Sequence, residues 1–250
     1  VSQAIRPTSW TSLVPMQVQG SNPPFFCVPE AGSTIYSLSN LARHLAPNQP
    51  FYGLQPLGID GKNSPHTRIE DMAEHYIEEI KSVQPQGPYL LGGRCFGSSV
   101  AFEMAQQLCA KGEDVALLAI LGDNFIPVWA RKGIEDSNSA FSMAHSFQRT
   151  IYYLRHSSLG DVFRTAVSEI NIRVNPYLRD TKRVLKSQLL ARANYIRKPY
   201  PGRVTLFASR RSSSRPAYSK LTLAGLAEGG VDLQIVPRVY DRLLDEPHVQ

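Results

Sequence analysis

The chain has 250 residues, 42% hydrophobic and 19% charged, which excludes an intrinsically disordered chain and allows one large α/β domain or two small ones. Its formal net charge is +6, with the excess concentrated between Arg149 and Arg215. No RNP, zinc-finger or helix-turn-helix pattern accompanies that charge, so an acidic protein partner is expected rather than nucleic acid, although a solvated basic face would look the same.

In chain order, "PFFCV" (Pro24 to Val28) reads as a short strand running into the loop "PEAGST", and "YSLSNLARHL" as a helix ended by "APNQP". "FYGLQPLG" is the next strand and loop, and "RIEDMAEHYIEEIKSVQ" is an amphipathic helix that must stop at Pro85. "PYLLGG" reads as a buried strand, "SSVAFEMAQQLCAKG" as a helix closed by Gly112, and "VALLAILGD" as another buried strand. This βαβα rhythm predicts an α/β fold, a mostly parallel sheet with helices on both faces. From about residue 127 to 197 the pattern is helical without a convincing strand, which predicts an inserted helical lid. Strands resume at "RVTLFAS" and "DLQIVP". The chain is thus expected to be one domain, with a core of about 20–126 and 198–250 and a lid of about 127–197.

The longest apolar run, "VALLAIL", is far short of the roughly 18–20 residues a membrane span needs. The first residues show no basic segment followed by an apolar core, and a start without methionine reads as a piece of something longer. Three cysteines without CxxC spacing argue against a disulfide framework and a zinc site, so reduced thiols in a cytoplasmic protein, with no metal and no membrane, are expected. Cys27 reads as a small apolar strand residue and Cys109 as a buried helix position.

Cys95 is different. In "YLLGGRCFGSSVAFEMA" an apolar strand runs into Gly-Arg-Cys-Phe-Gly and then a helix. The spacing is that of a nucleophile elbow: Gly93 and Gly97 serve where strand and helix approach too closely for a β-carbon, and the residue between them is held in a tight, exposed turn.

With that motif the whole chain resembles the type I thioesterase domains of nonribosomal peptide and polyketide synthetases, which have the α/β-hydrolase fold. "LVPMQVQGSNPPFFCV" resembles their entry strand, "LARHLAPNQPFYGLQPLG" the first helix and following strand, "YPGRVTLF" the strand after the lid, and "EPHVQ" the C-terminal signature. The resemblance implies a substrate delivered on the 4'-phosphopantetheine arm of an acyl or peptidyl carrier protein domain, upstream in the same polypeptide. It implies no cofactor bound by the domain itself. Residue by residue, it places the nucleophile at Cys95, where serine is usual, and the acid at Asp123. The oxyanion hole falls to the amides of Phe96 and Ala31, the latter uncertain by one position. Where the family has His-Pro before that loop, this chain has Pro29-Glu30, and a carboxylate there would oppose an oxyanion unless it points away. The base position, after the last strand in "IVPRVYDRLLDEPHV", holds Tyr240 instead of histidine. His248 belongs to the signature, and nothing singles out another histidine.

A thiol needs less help than a hydroxyl. Free cysteine titrates near ~8.5, and a helix N-terminus or a neighbouring cation favours the thiolate. Cys95 opens a helix beside Arg94, so attack on a carrier thioester without a histidine is expected, whereas hydrolysis of the resulting thioester is expected to be impaired. Three readings stand: a working acyl transferase that releases product by hydrolysis, cyclisation or amine condensation; a thioesterase-like module that only binds carrier or substrate; and a free-standing hydrolase of small esters.

Overall fold

The computed structural model describes residues 10–122, 176–209 and 223–236. Among the described residues, seven strands form one sheet: β1 Leu13–Gln17, β2 Phe25–Val28, β3 Phe51–Leu54, β4 Tyr89–Arg94, β5 Val115–Leu121, β6 Val204–Ser209 and β7 Val231–Val236. Their order is β1-β3-β2-β4-β5-β6-β7. Only β1 runs antiparallel, against β3; the other neighbours are parallel.

The central strands are apolar on both faces, so both faces must be covered. On β5, Leu118 and Ile120 enter one core while Ala119 and Leu121 enter the other, and on β2 Phe26 and Val28 divide in the same way from Phe25 and Cys27. The first core is closed by helices α2 (Ile69–Lys81), α3 (Phe96–Ala110) and α4 (Pro176–Asn194), and the second by α1 (Ser39–Leu45) with the 3-10 turn Ile35–Leu38 before it. Helix α2 shows why the sequence folds this way. Ile69, Met72, Ala73, Tyr76, Ile77 and Ile80 form one buried stripe, Glu70 and Asp71 occupy the first turn, and Lys81 the last, which complements the helix dipole.

The expected α/β architecture is present, with three differences of detail. "YSLSNLARHL" divides into a 3-10 turn and a seven-residue helix rather than one helix. Cys109 is partly rather than fully buried, packed against the first core. The helix containing "VLKSQLLARANYI" begins earlier, at Pro176, where a fixed φ suits the first helical turn and the missing N–H costs nothing. The remainder of the expected lid, residues 127–175, lies outside the described residues. Among the described residues no helix is long and apolar enough to cross a membrane.

The topology also locates a crevice. β2 is flanked by β3 on one side and β4 on the other, so successive connections leave in opposite directions at the carboxyl ends of β2 and β4. In open parallel sheets such a switch point is where ligands bind.

Candidate active site

Two segments meet at that switch point: the turn after β4 and the loop after β2. Cys95 occupies the turn, between Arg94 of β4 and Phe96 of α3, with φ 53° and ψ −110°. It is the only non-glycine with positive φ among the described residues. For a residue with a β-carbon that geometry is strained, and it persists only where the surroundings impose it.

Both flanking glycines supply that imposition. A β-carbon on Gly93 would fall 2.2 Å from the carbonyl oxygen of Gly97, and one on Gly97 would fall 2.2 Å from that of Val28 and 2.5 Å from that of Pro29. Ser98 closes the turn: its amide donates to Cys95 O at 3.2 Å and its hydroxyl to Gly93 O at 2.7 Å. Cys95 is partly exposed, and its Sγ makes no hydrogen bond to a described residue. The other thiols are poorly suited to nucleophilic work. Burial, with Glu30 nearby, pushes the Cys27 thiol far above its usual value. Burial also raises that of Cys109, against a hydrogen bond with Tyr200.

The loop after β2 carries the amides expected to face an oxyanion. Gly32 N–H donates to Gln188 Oε1 on α4 at 2.8 Å, and Ser33 N–H donates back to Glu30 O at 3.2 Å. The Ala31 amide has no partner among the described residues. Phe96 opens α3, so its amide has no intrahelical acceptor either. Gly97, whose missing β-carbon admits the carbonyls of Val28 and Pro29, brings the two segments together.

Glu30 does not stand as a bare carboxylate. Arg94 Nη1 lies 3.3 Å from its Oε1, and the Ser37 hydroxyl donates to its Oε2 at 3.1 Å. Both charged side chains are mostly buried, at 13% and 26% exposure. The pair changes two expectations at once. The negative charge beside the loop is compensated, and Arg94, expected to act as a cation for Cys95, is held by Glu30.

Asp123 and Tyr240 lie outside the described residues. β5 ends in register with the elbow strand, Leu121 opposite Arg94, and Gly122 N–H then donates to Phe207 O at 2.8 Å. Three histidines are described. His44 bonds to Asn40 O within α1, while His75 bonds to the buried Ser12 hydroxyl and its ring lies 5.3 Å from that of His66. Burial, helped by His75, lowers the His66 pKa. Among the described residues no cluster of His, Cys, Asp or Glu could hold a metal ion.

Sequence reasoning missed the part played by α4. Its buried stripe, Asp180, Val184, Ser187, Gln188 and Ala191, is largely polar, and Gln188 reaches the loop after β2. The available signal was a glutamine at i+4 from Val184, on the side free of Lys and Arg in an otherwise basic helix.

A mostly parallel sheet with a strained strand-to-helix turn at its switch point fits the α/β-hydrolase class. Comparison narrows the class. The family model for the thioesterase domain matches residues 23–213. Malpinin synthetase of Mortierella alpina is 33% identical over 168 residues, 67% of this chain and 2% of that protein. The dimodular nonribosomal peptide synthase of Bacillus subtilis (strain 168) is 39% identical over 119 residues, 46% of this chain and 5% of that protein. Among solved structures, the Vlm2 thioesterase domain bound with a dodecadepsipeptide superposes with a TM-score of 0.67 at 22% identity, covering 95% of this chain and 93% of that one. The chain belongs to the thioesterase domain family, whose members are acyl hydrolases and acyl transferases. It spans only a few per cent of the length of the synthetases it matches.

Proposed function

We propose that this domain takes an acyl or peptidyl group from a phosphopantetheine thioester on a carrier protein onto Cys95 and then releases it. The observation that carries the reading is the Cys95 backbone, held at φ 53° at the N-terminus of α3 by two glycines that tolerate no β-carbon. In the first step the Cys95 Sγ–acyl bond forms and the acyl–pantetheine C–S bond breaks, with the pantetheine sulfur leaving as thiol. The exchange is thioester for thioester, so little driving force is needed. The amides of Ala31 and Phe96 are proposed to bind the oxyanion, and the Arg94–Glu30 pair keeps a net negative charge away from them. The α3 N-terminus favours negative charge developing nearby.

Release is the step proposed to depart from the family's usual course. Asp123 is proposed as the acid of the site; the β4–β5 register, Arg94 opposite Leu121, supports placing it near the elbow. Tyr240 is proposed to stand, after β7, at the position that the resemblance gives to the family's histidine. A phenol with a pKa near ~10 is a poor base at neutral pH but donates a hydrogen bond. Water needs a base more than an amine does, so release is proposed to favour amine attack or cyclisation over hydrolysis. The carrier is proposed to dock against basic surface that includes Arg179, Lys182, Lys186 and Arg192 of α4.

The test acylates a carrier domain and follows product with and without an added amine. Amine adduct outpacing free acid, with both lost in Cys95→Ala, is the expected result; free acid released rapidly by the wild type would refute it. The Tyr240 substitution also favours a second reading, a module that binds carrier without turnover. Labelling of Cys95 by an acyl-thioester analogue distinguishes the two, because a binding module stays unlabelled.

A further inference from the structure

The loop after β2 is not held by its own sequence. Its turn closes through Ser33 N–H to Glu30 O, but the residue between Ala31 and Ser33 is fixed from the far side of the chain. Gly32 sits at φ +71° and donates its N–H to Gln188 Oε1 at 2.8 Å, and the Leu185 side chain packs where its β-carbon would be. Gln188 is 5% exposed, so this amide–amide bond is sheltered from competing water.

Helix α4 can act as a fixed point because it is anchored elsewhere. Towards its start, Arg183 Nη2 donates to Asn63 O at 2.8 Å in the loop after β3, and the Asp180 carboxylate fills the space a β-carbon on Gly61 would need. Beyond its end, three groups grip the helix that follows the nucleophile. Tyr195 OH donates to Glu103 Oε2 at 2.7 Å, Gln106 Nε2 donates to Lys198 O at 2.6 Å, and Arg197 Nη2 donates to Ser99 Oγ at 2.8 Å. Ser99, Glu103 and Gln106 stand at i, i+4 and i+7 on α3 and so share one helix face. Residues 183–199 therefore brace the nucleophile helix against the loop after β2.

We propose that Gln188 is a positioning residue for the acyl transfer, acting through Gly32 on the second oxyanion donor. By accepting from Gly32 N–H it commits that amide and orients the adjoining peptide, so that Ala31 N–H is the loop amide presented to the oxyanion. Losing the acceptor frees the Gly32 amide and lets the loop rotate. Oxyanion donors work only within a few tenths of an ångström of hydrogen-bond distance, and a 1 Å displacement costs up to about 100-fold in rate. The inference rests on the reading that Cys95 is acylated.

The experiment separates oxyanion chemistry from simple thiol reactivity. Cys95 is acylated with the p-nitrophenyl thioester of hexanoic acid, in which the Sγ–acyl bond forms and nitrothiophenolate leaves, and the burst is timed. In parallel it is alkylated by iodoacetamide, a displacement at carbon that develops no oxyanion. Gln188→Leu is expected to slow the burst about ten-fold or more, with the alkylation rate unchanged and the thermal midpoint nearly so. Gln188→Glu, which keeps an acceptor oxygen, is expected to recover most of the burst rate. Should Gln188→Leu fail to fold, Gln188→Asn, one methylene short of Gly32, carries the same expectation. An unchanged burst in a folded variant overturns the proposal, and so does an equal loss of burst and alkylation. A wild type that alkylates at Cys95 but shows no burst overturns the underlying reading instead, and this one with it.

Discussion

The two segments that frame the site are held by different physics. The turn after β4 is specified largely by its own neighbours: Gly93, Gly97 and Ser98, all within three residues of Cys95, fix its backbone through van der Waals exclusion and two hydrogen bonds, with the Val28 and Pro29 carbonyls as the one wall from outside. The loop after β2 is specified from outside, by Arg94 at a separation of 64 residues and Gln188 at 156. Local sterics store strain at the residue proposed as nucleophile, whereas distant polar contacts set the position of the proposed donor loop, which a change elsewhere in the chain can tune. The elbow should therefore fail abruptly on substitution and the loop gradually.

The sharpest way to break that contrast is Gly97→Ala. Its β-carbon would collide with two backbone carbonyls, those of Val28 and Pro29, neither of which can swing aside. The substitution is expected to cost more than about 3 kcal/mol in urea unfolding, or to prevent folding. A well-folded Gly97→Ala protein with wild-type stability would show that the elbow is looser than its geometry implies.

Cys95 itself provides a finer measurement. Cys95→Ala and Cys95→Gly both remove the thiol, but only alanine keeps the β-carbon that makes φ 53° unfavourable. Cys95→Gly is expected to be more stable than Cys95→Ala by about 1 kcal/mol, the reverse of the order found at ordinary helix positions. Equal stabilities would mean that the turn stores no strain.

On the loop side, Arg94→Met leaves the Glu30 carboxylate uncompensated beside the Ala31 amide, while Glu30→Gln removes the charge and keeps a polar group. Arg94→Met should slow acylation of Cys95 more than Glu30→Gln and cost about 1–2 kcal/mol of stability. If Glu30→Gln is the slower of the two, the pair does something other than neutralise that carboxylate.

What was legible in the sequence divides along the same line. The strands and helices around the elbow follow from short-range patterns: the stripe of α2, the apolar β5, and the glycines around Cys95 read almost as they fold. The loop after β2 reads from its residues only as a loop, and the family resemblance alone adds the Ala31 amide as an oxyanion donor. Its charge problem, Glu30, is visible, but the solution is not, because Arg94 adjoins the thiol in sequence and meets the carboxylate only across the sheet. Gln188 shows in the sequence only as a polar residue four positions after Val184; its partner does not, since a hydrogen bond spanning 156 residues leaves no periodicity to read. Asp123 and Tyr240 stay as sequence-based assignments because they lie outside the described residues.

The smallest expected effect comes from the opposite end of the sheet, and it tests whether the site is insulated from ordinary surface electrostatics. Lys81, at the end of α2, lies 2.6 Å from Glu113 in the turn before β5, and the other Glu113 oxygen accepts from Gly87 N–H ahead of β4. The hydrogen bond with Lys81, aided by that from Gly87, holds the Glu113 carboxyl below its usual 4.5, and the same bond holds Lys81 above its usual 10.5. A depressed carboxyl contributes stability that is present above 4.5 and drains away as pH falls through the lower folded-state value. A raised ammonium contributes stability that is present below 10.5 and is lost as pH rises through its higher folded-state value. Glu113→Gln should therefore lower the urea midpoint slightly at neutral pH, and the gap to wild type should close towards the acid end and again above 10.5. The Cys95 burst rate should not change, because this contact joins the ends of β4 and β5 remote from the elbow. A gap that persists unchanged into acid would show that Glu113 acts through shape rather than charge, and a slowed burst would show that strain at the foot of β4 reaches the turn at its head.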